Sequence, residues 1–169
     1  VEFGRPYPLG MGFFLEGVGG LFGFHRTFDE TAMRAALPTG QLRNALFPVD
    51  PVRHAAEVQK ALELLFPARQ GSHLVGVLVK VGWASPALIH MELAVIYEWG
   101  RQNRLILLGR VSALLPRPDE ALLSLNMDSV GILDFDAGTF ALDAVLYDSK
   151  LCDRFVLSGA MAMRMAMKG

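Results

Sequence analysis

Few residues in this 169-residue chain have the types and spacing that chemistry requires. His90 and Glu92 form an H-x-E pair whose period of two puts both on one face of a strand, and Glu98 falls on the same face further along. An imidazole beside carboxylates can hold a metal ion or act as a general base. The same parity, however, carries Arg104, Arg110, Asp128 and Asp143 on neighbouring segments. Interleaved charges of both signs read more simply as cross-strand ion pairs on a solvated sheet face. His25, His54 and His73 have no partner at ligand spacing and read as surface or edge residues.

Three further motifs dissolve in the same way. Asp134-x-Asp136 resembles a paired-carboxylate site, yet it runs into Asp136-Ala137-Gly138, and Asp favours turns because it hydrogen-bonds the local backbone. Cys152 lies between Lys150 and Arg154, neighbours that lower a thiol pKa, but no histidine is near in sequence to act as base. It reads as a small buried or edge residue, and a single cysteine excludes an intrachain disulfide. The run GVGGLFGF from Gly17 to Phe24 invites a dinucleotide site and fails it. Phe22 stands where the third glycine belongs, and no helix follows directly. No phosphate loop, zincin motif or nucleophile elbow occurs. No cofactor and no catalytic residue is implied, and an enzyme is a subordinate reading.

The elements that must position these residues are unusually apolar. Hydrophobic residues make up 52% of the chain and charged ones 20%, against roughly 45–50% and about 25% in ordinary domains. A net charge of −1 supplies no electrostatic footprint for nucleic acid or an anionic membrane. Apolar runs are broken well short of the roughly 18 residues of a helical span. The opening Val1-Glu2-Phe3 has neither a basic leader nor an initiator Met, which points to a segment of a longer polypeptide. The compartment is unknown, with the cytoplasm as the default.

The length suits one domain, 1–169, in three parts. Residues 1–28 are Gly-rich and predict one or two short strands. Residues 29–66 carry a helical period, with Thr27 or Asp29 as a first cap, a short turn in TGQLRNALF, and the best helix over 51–66. There Asp50 caps, Pro51 suits the first position, and Val52, Ala55, Val58, Leu62 and Leu65 form a stripe. From 72 to 168 the period is two. Val75, Val77, Val79 and Val81 share a side, as do Met91, Leu93, Val95 and Tyr97, and Leu123, Leu125 and Met127. The closing strand alternates Met161, Met163, Met165 and Met167 with Ala160, Ala162, Arg164 and Ala166. Polar turns at 100–103, 116–119, 136–138 and 148–150 separate the segments, as antiparallel neighbours require.

Several fragments carry a resemblance. The opening G-x-G-G-L-x-G, Arg26 with Asp29, Leu46-Phe47-Pro48, Asp50-Pro51, Phe66-Pro67, Gly82-Trp83 with Pro86, LLGRVSALLPRPD, VGILDF and LYDSKL together resemble domain-of-unknown-function family number 6603. That family is a block of very large, mainly bacterial, β-rich proteins. The resemblance spans nearly the whole chain and implies a place in a longer polypeptide. It implies no reaction and no site residues, since the shared motifs are turns, caps and packing anchors.

The residues therefore predict an α+β fold. It is a long antiparallel meander of five or more strands, a curved sheet or groove, with the helical insert on one end of its apolar face. A twelve-residue strand reaches about 40 Å, whereas a sixteen-residue helix covers only about 24 Å, so the insert leaves apolar sheet bare. Met91, Leu93, Val95, Met127, Met161, Met163 and Met165 are the candidate ligand-binding residues of that face. Methionine is soft and adapts to an irregular partner. The expected function is a β-groove module that binds or conducts a lipid or other hydrophobic ligand. The alternative is a structural or interaction module whose face is sealed by the parent chain or by self-association. A small transmembrane β-barrel ranks below both.

Overall fold

The computed structural model describes residues 1–39, 45–46, 52–117, 119 and 121–167. Eight strands follow one another in chain order across a single antiparallel sheet. They are β1 (Glu2–Gly10), β2 (Phe13–Arg26), β3 (Ala68–Trp83), β4 (Ile89–Gly100), β5 (Arg104–Leu115), β6 (Leu123–Asp134), β7 (Thr139–Leu151) and β8 (Phe155–Ala166). Among the described residues, the helices α1 (Glu30–Ala36) and α2 (Ala55–Leu65), with the helical pair Ala45 and Leu46 between them, interrupt the series between β2 and β3. The sheet is open, with β1 and β8 as its edges, so this chain does not close into a barrel.

Local signals account for most element ends. The Asp29 carboxylate accepts from the Ala32 amide at 2.9 Å and starts α1. The helix over 51–66 is shorter than its sequence pattern: α2 begins at Ala55, with His54 at its cap position and no capping side chain. Val52 lies outside the helix and is exposed, so it is not part of the stripe. Asp50, Pro51 and most of the expected turn in TGQLRNALF fall outside the described residues; Ala45 and Leu46 are helical and buried. The Gly-rich start forms two strands, and β2 is a full fourteen residues, so GVGGLFGF is strand and not a phosphate loop. The expected turn at 148–150 is a bulge inside β7. Asp148 adopts φ +43°, the register slips between Leu146 and Ser149, and Ser149 turns inward to the Asn126 backbone. The chain reverses instead at Cys152 and Asp153, both at positive φ, and Cys152 is exposed.

The main correction concerns which face the helices cover. They do not pack on the apolar face; they sit on the face that carries the charges. Three central strands explain why. Each places two charged residues six positions apart with two apolar ones between them on the same face. These are Glu92, Ala94, Ile96, Glu98; Arg104, Ile106, Leu108, Arg110; and Asp128, Val130, Ile132, Asp134. The apolar pairs fall side by side and form a seat with Leu74. Met33, Ala36, Leu37, Leu65 and Phe66 pack on that seat from the helical layer and are buried with it. Gly76 belongs to the same surface: a Cβ there would lie 2.9 Å from Ile96 Cγ1, so only glycine lets that isoleucine in.

Candidate functional site

The charged residues frame the seat in two cross-strand ladders. At one border Lys80 Nζ lies 3.4 Å from Glu92, Arg110 Nη1 donates to Glu92 at 2.9 Å, and Arg110 Nε reaches Asp128 at 3.3 Å. At the other, Arg104 Nε and Nη2 both donate to Glu98 Oε2, at 2.9 and 2.6 Å. Thr27 donates to the other Glu98 oxygen at 2.5 Å, and Arg104 donates to the Phe28 carbonyl at 2.8 Å. These bonds tie the segment ahead of α1 to the sheet.

Glu98, Arg104 and Asp128 are therefore buried, not solvated. The ion-pair reading holds for their geometry, and helix cover replaces the expected solvent. Sequence reasoning treated the charges as marking a wet face. The signal that could have located the seat is their spacing of six with two apolar residues between, repeated on three consecutive strands.

The chemistry-capable motifs are engaged structurally. His90 is exposed, with Nδ1 3.3 Å from Glu16 Oε2, at a cleft of about 500 Å³ shared with Glu2, Lys80, Glu92 and Arg110. Within it Lys80 bonds Glu2 at 2.5 Å. Burial opposes the Lys80 charge, but the bond to Glu2 and the Glu92 carboxylate outweigh it and raise its pKa above the ordinary value. The same bond holds the exposed Glu2 carboxyl below its usual range. Every carboxylate of this cleft except Glu16, which faces His90, meets a lysine or arginine. Asp134 accepts from the Asp136 and Ala137 amides and Asp136 binds Asn103, so this pair builds a turn. Among the described residues no three His, Cys, Asp or Glu side chains gather as metal ligands.

The opposite face is the larger feature. Register aligns it in rows that run across the strands. One row is Phe22, Val75, Tyr97, Leu105, Leu133, Phe140, Met165. The next is Gly20, Val77, Val95, Leu107, Gly131, Leu142, Met163. A third is Val18, Val79, Leu93, Gly109, Ser129, Ala144, Met161, and a fourth is Leu15, Val81, Met91, Val111, Met127, Leu146, Gly159. No position in these rows carries a charge. All seven candidate residues share this face, spread over the four rows. Val77 is 58% exposed, Val95 46%, Met161 54% and Met163 42%, values no packed core permits. None of the residues buried beneath the helical layer lies here. Within the third row Gly109, Ser129 and Ala144 stand side by side, flanked by larger side chains except at Gly131 on β6, a feature that reading each strand separately did not reveal.

Fold and surface together define a class: an open antiparallel sheet with one face seated under helices and one bare, uncharged apolar face. The chain belongs to the family described as "Family of unknown function (DUF6603)", whose model matches residues 1–169, the whole chain. No curated protein and no solved structure matches it significantly. Among the described residues no helix is long and apolar enough to cross a membrane.

Proposed function

We propose that this chain is a sheet module that binds an extended hydrophobic ligand, of the lipid acyl-chain type, on its bare face. One observation carries the reading: the small residues Gly109, Ser129 and Ala144 lie in register on β5, β6 and β7. They are flanked by Leu107, Gly131 and Leu142 on one side and by Val111, Met127 and Leu146 on the other. On β5 and β7 these short side chains lie between longer ones, and on β6 the recess widens to Gly131. The result is a shallow furrow across the strands, with Met161 at its β8 end and Leu93 leaning over its β4 end. Ala144 is buried although no described element covers this face, which fits a recessed floor. The surrounding valines, leucines and methionines supply dispersion contact without hydrogen-bond demands, as an acyl chain requires. An apolar surface this broad exceeds what monomers ordinarily expose.

The test is gentle purification, native mass spectrometry and organic extraction. Retained lipid is expected, and Ala144→Leu, which fills the furrow with apolar atoms, should reduce its yield severalfold while the fold persists. Protein that carries no lipid and takes up none from mixed vesicles would overturn the reading. It would favour a structural module whose face is sealed by other polypeptide.

A further inference from the structure

The two edges of the sheet differ in a way that selects a partner. Edge strands expose unpaired amides and carbonyls, and proteins blunt them with proline, charge or irregular pairing. On β1 those devices are present: Pro6 and Pro8 lack donors, Arg5 adds charge, and the register with β2 breaks twice. On β8 they are fewer, and the one break in register, between Leu146 and Ser149 of β7, falls ahead of Gly159. Phe155–Ala166 contains no proline and no lysine, and its pairing with β7 is unbroken from Gly159 to Ala166. Its one charge, Arg164, is drawn back by Asp143, with Nη2 2.8 and 3.0 Å from the two carboxylate oxygens.

Which amides face outward follows from the ladder. The Met167 amide donates to the Gly138 carbonyl at 2.7 Å, and bonded pairs alternate along an antiparallel strand. Met161, Met163 and Met165 therefore direct their amides to β7, while Ala160, Ala162 and Arg164 direct theirs to the open edge.

We infer that β8 pairs antiparallel with β8 of a second copy about a two-fold axis at Ala162, joining two sheets into one. The strand is self-complementary in that register. Ala162 meets the partner's Ala162, Ala160 meets the partner's Arg164, and Met161 meets the partner's Met163. All outward amides then face outward carbonyls, and no two arginines are opposed. The axis stands perpendicular to the sheet, so both apolar faces lie on the same side and their rows run on across the junction. Because β1 is blunted, head-to-tail growth is blocked and the assembly closes at two copies. This inference does not depend on a bound ligand.

Native mass spectrometry and sedimentation of residues 1–169 test it, with lipid removed in detergent and the detergent then withdrawn. Unaltered protein should run at twice its 18.5 kDa chain mass. Ala162→Pro deletes one outward amide, a change that edge strands tolerate, and should yield monomer with an unchanged circular dichroism spectrum. Ala162→Lys and Ala162→Asp should each be monomeric, because like charges would oppose one another on the axis. Their equimolar mixture should recover a dimer containing one of each. Monomeric unaltered protein, association that survives Ala162→Pro, assemblies larger than two, or failure of the charge-reversed pair to combine would each overturn the proposal. Lipid retention is scored separately, on the Ala162→Lys monomer, so the two readings can fail independently.

Discussion

Glu98 and Arg104 face each other across the β4–β5 hairpin with both side chains buried, and Arg104 Nη2 lies 2.6 Å from Glu98 Oε2. Thr27 and the Phe28 carbonyl complete the hydrogen bonds of the pair, so the helical layer is fastened to the sheet through charge as well as packing. Removing one partner of a buried pair strands the other, at about 3–5 kcal/mol, whereas replacing both with apolar groups is often neutral. Arg104→Ala should therefore lower stability by several kcal/mol in urea titrations. Glu98→Leu combined with Arg104→Met should lower it far less than either change alone, except for the loss at Thr27.

The helix seat gives a second contrast. Leu65 is buried against the sheet while Val52 is 85% exposed. Truncating a core leucine costs about 2–5 kcal/mol. Leu65→Ala should depress the melting temperature strongly, and Val52→Ala should leave it within a degree or so. Equal shifts would mean that α2 lies elsewhere.

The two faces should answer a polar substitution differently. Ile96 is fully buried beneath the helices, whereas Met163 is 42% exposed on the bare face. An unpaired buried amide costs about 1–3 kcal/mol, in addition to the packing lost. Ile96→Gln should unfold or severely weaken the chain. Met163→Gln should hardly change stability but should reduce hydrophobic-dye fluorescence, and Arg164→Gln, on the opposite face, should leave the dye signal unchanged.

Acid should reach one ion cluster by a defined route. Burial favours the neutral form of Asp143, but Arg164 and Arg34 outweigh it and hold the carboxyl below its ordinary value of 3.8. A lowered carboxylate pKa gives stability that is present in full above the unfolded-state value and is lost as pH falls through the folded one. Both arginines are at least a third exposed, so each pair is worth no more than about 1 kcal/mol. Asp143→Asn should thus be modestly less stable than the unaltered chain at pH 7. The difference should begin to shrink as pH falls toward 3.8 and vanish only below the lowered folded-state value, as followed by urea titration across pH.

Strand identity was legible because a period of two survives any tertiary context. Val75 to Val81 and Met161 to Met167 alternate whether or not anything covers them. Facing was not legible from one strand at a time. Glu98 and Arg104 look wet in isolation; only their register, each opposite the other with Ile96 and Ile106 alongside, shows that they neutralise one another under cover. The bulge at Asp148 and the late start of α2 were hidden for a related reason. A left-handed aspartate serves a turn or a bulge equally well, and an apolar Val52 carries no mark of its exposure. The seven candidate residues share a parity in the sequence and, through register, a face in the sheet. The line Gly109–Ser129–Ala144 required three registers at once.

The strictly sequential strand order also governs how the molecule yields to force. Each strand is bonded only to its neighbours in the chain, and the first and last strands are opposite edges. Tension applied through those two strands draws each edge away from its neighbour as a zip opens, one bonded pair at a time, instead of shearing a whole ladder together. Peeling would meet little resistance through β8 and β7, which reach the helical layer chiefly through Asp143 and Val145, and more at β6, where Val130 and Ile132 lie beneath it. A chain under load would thus extend in hairpin-sized steps from its outer margin while the helix-seated centre stayed folded.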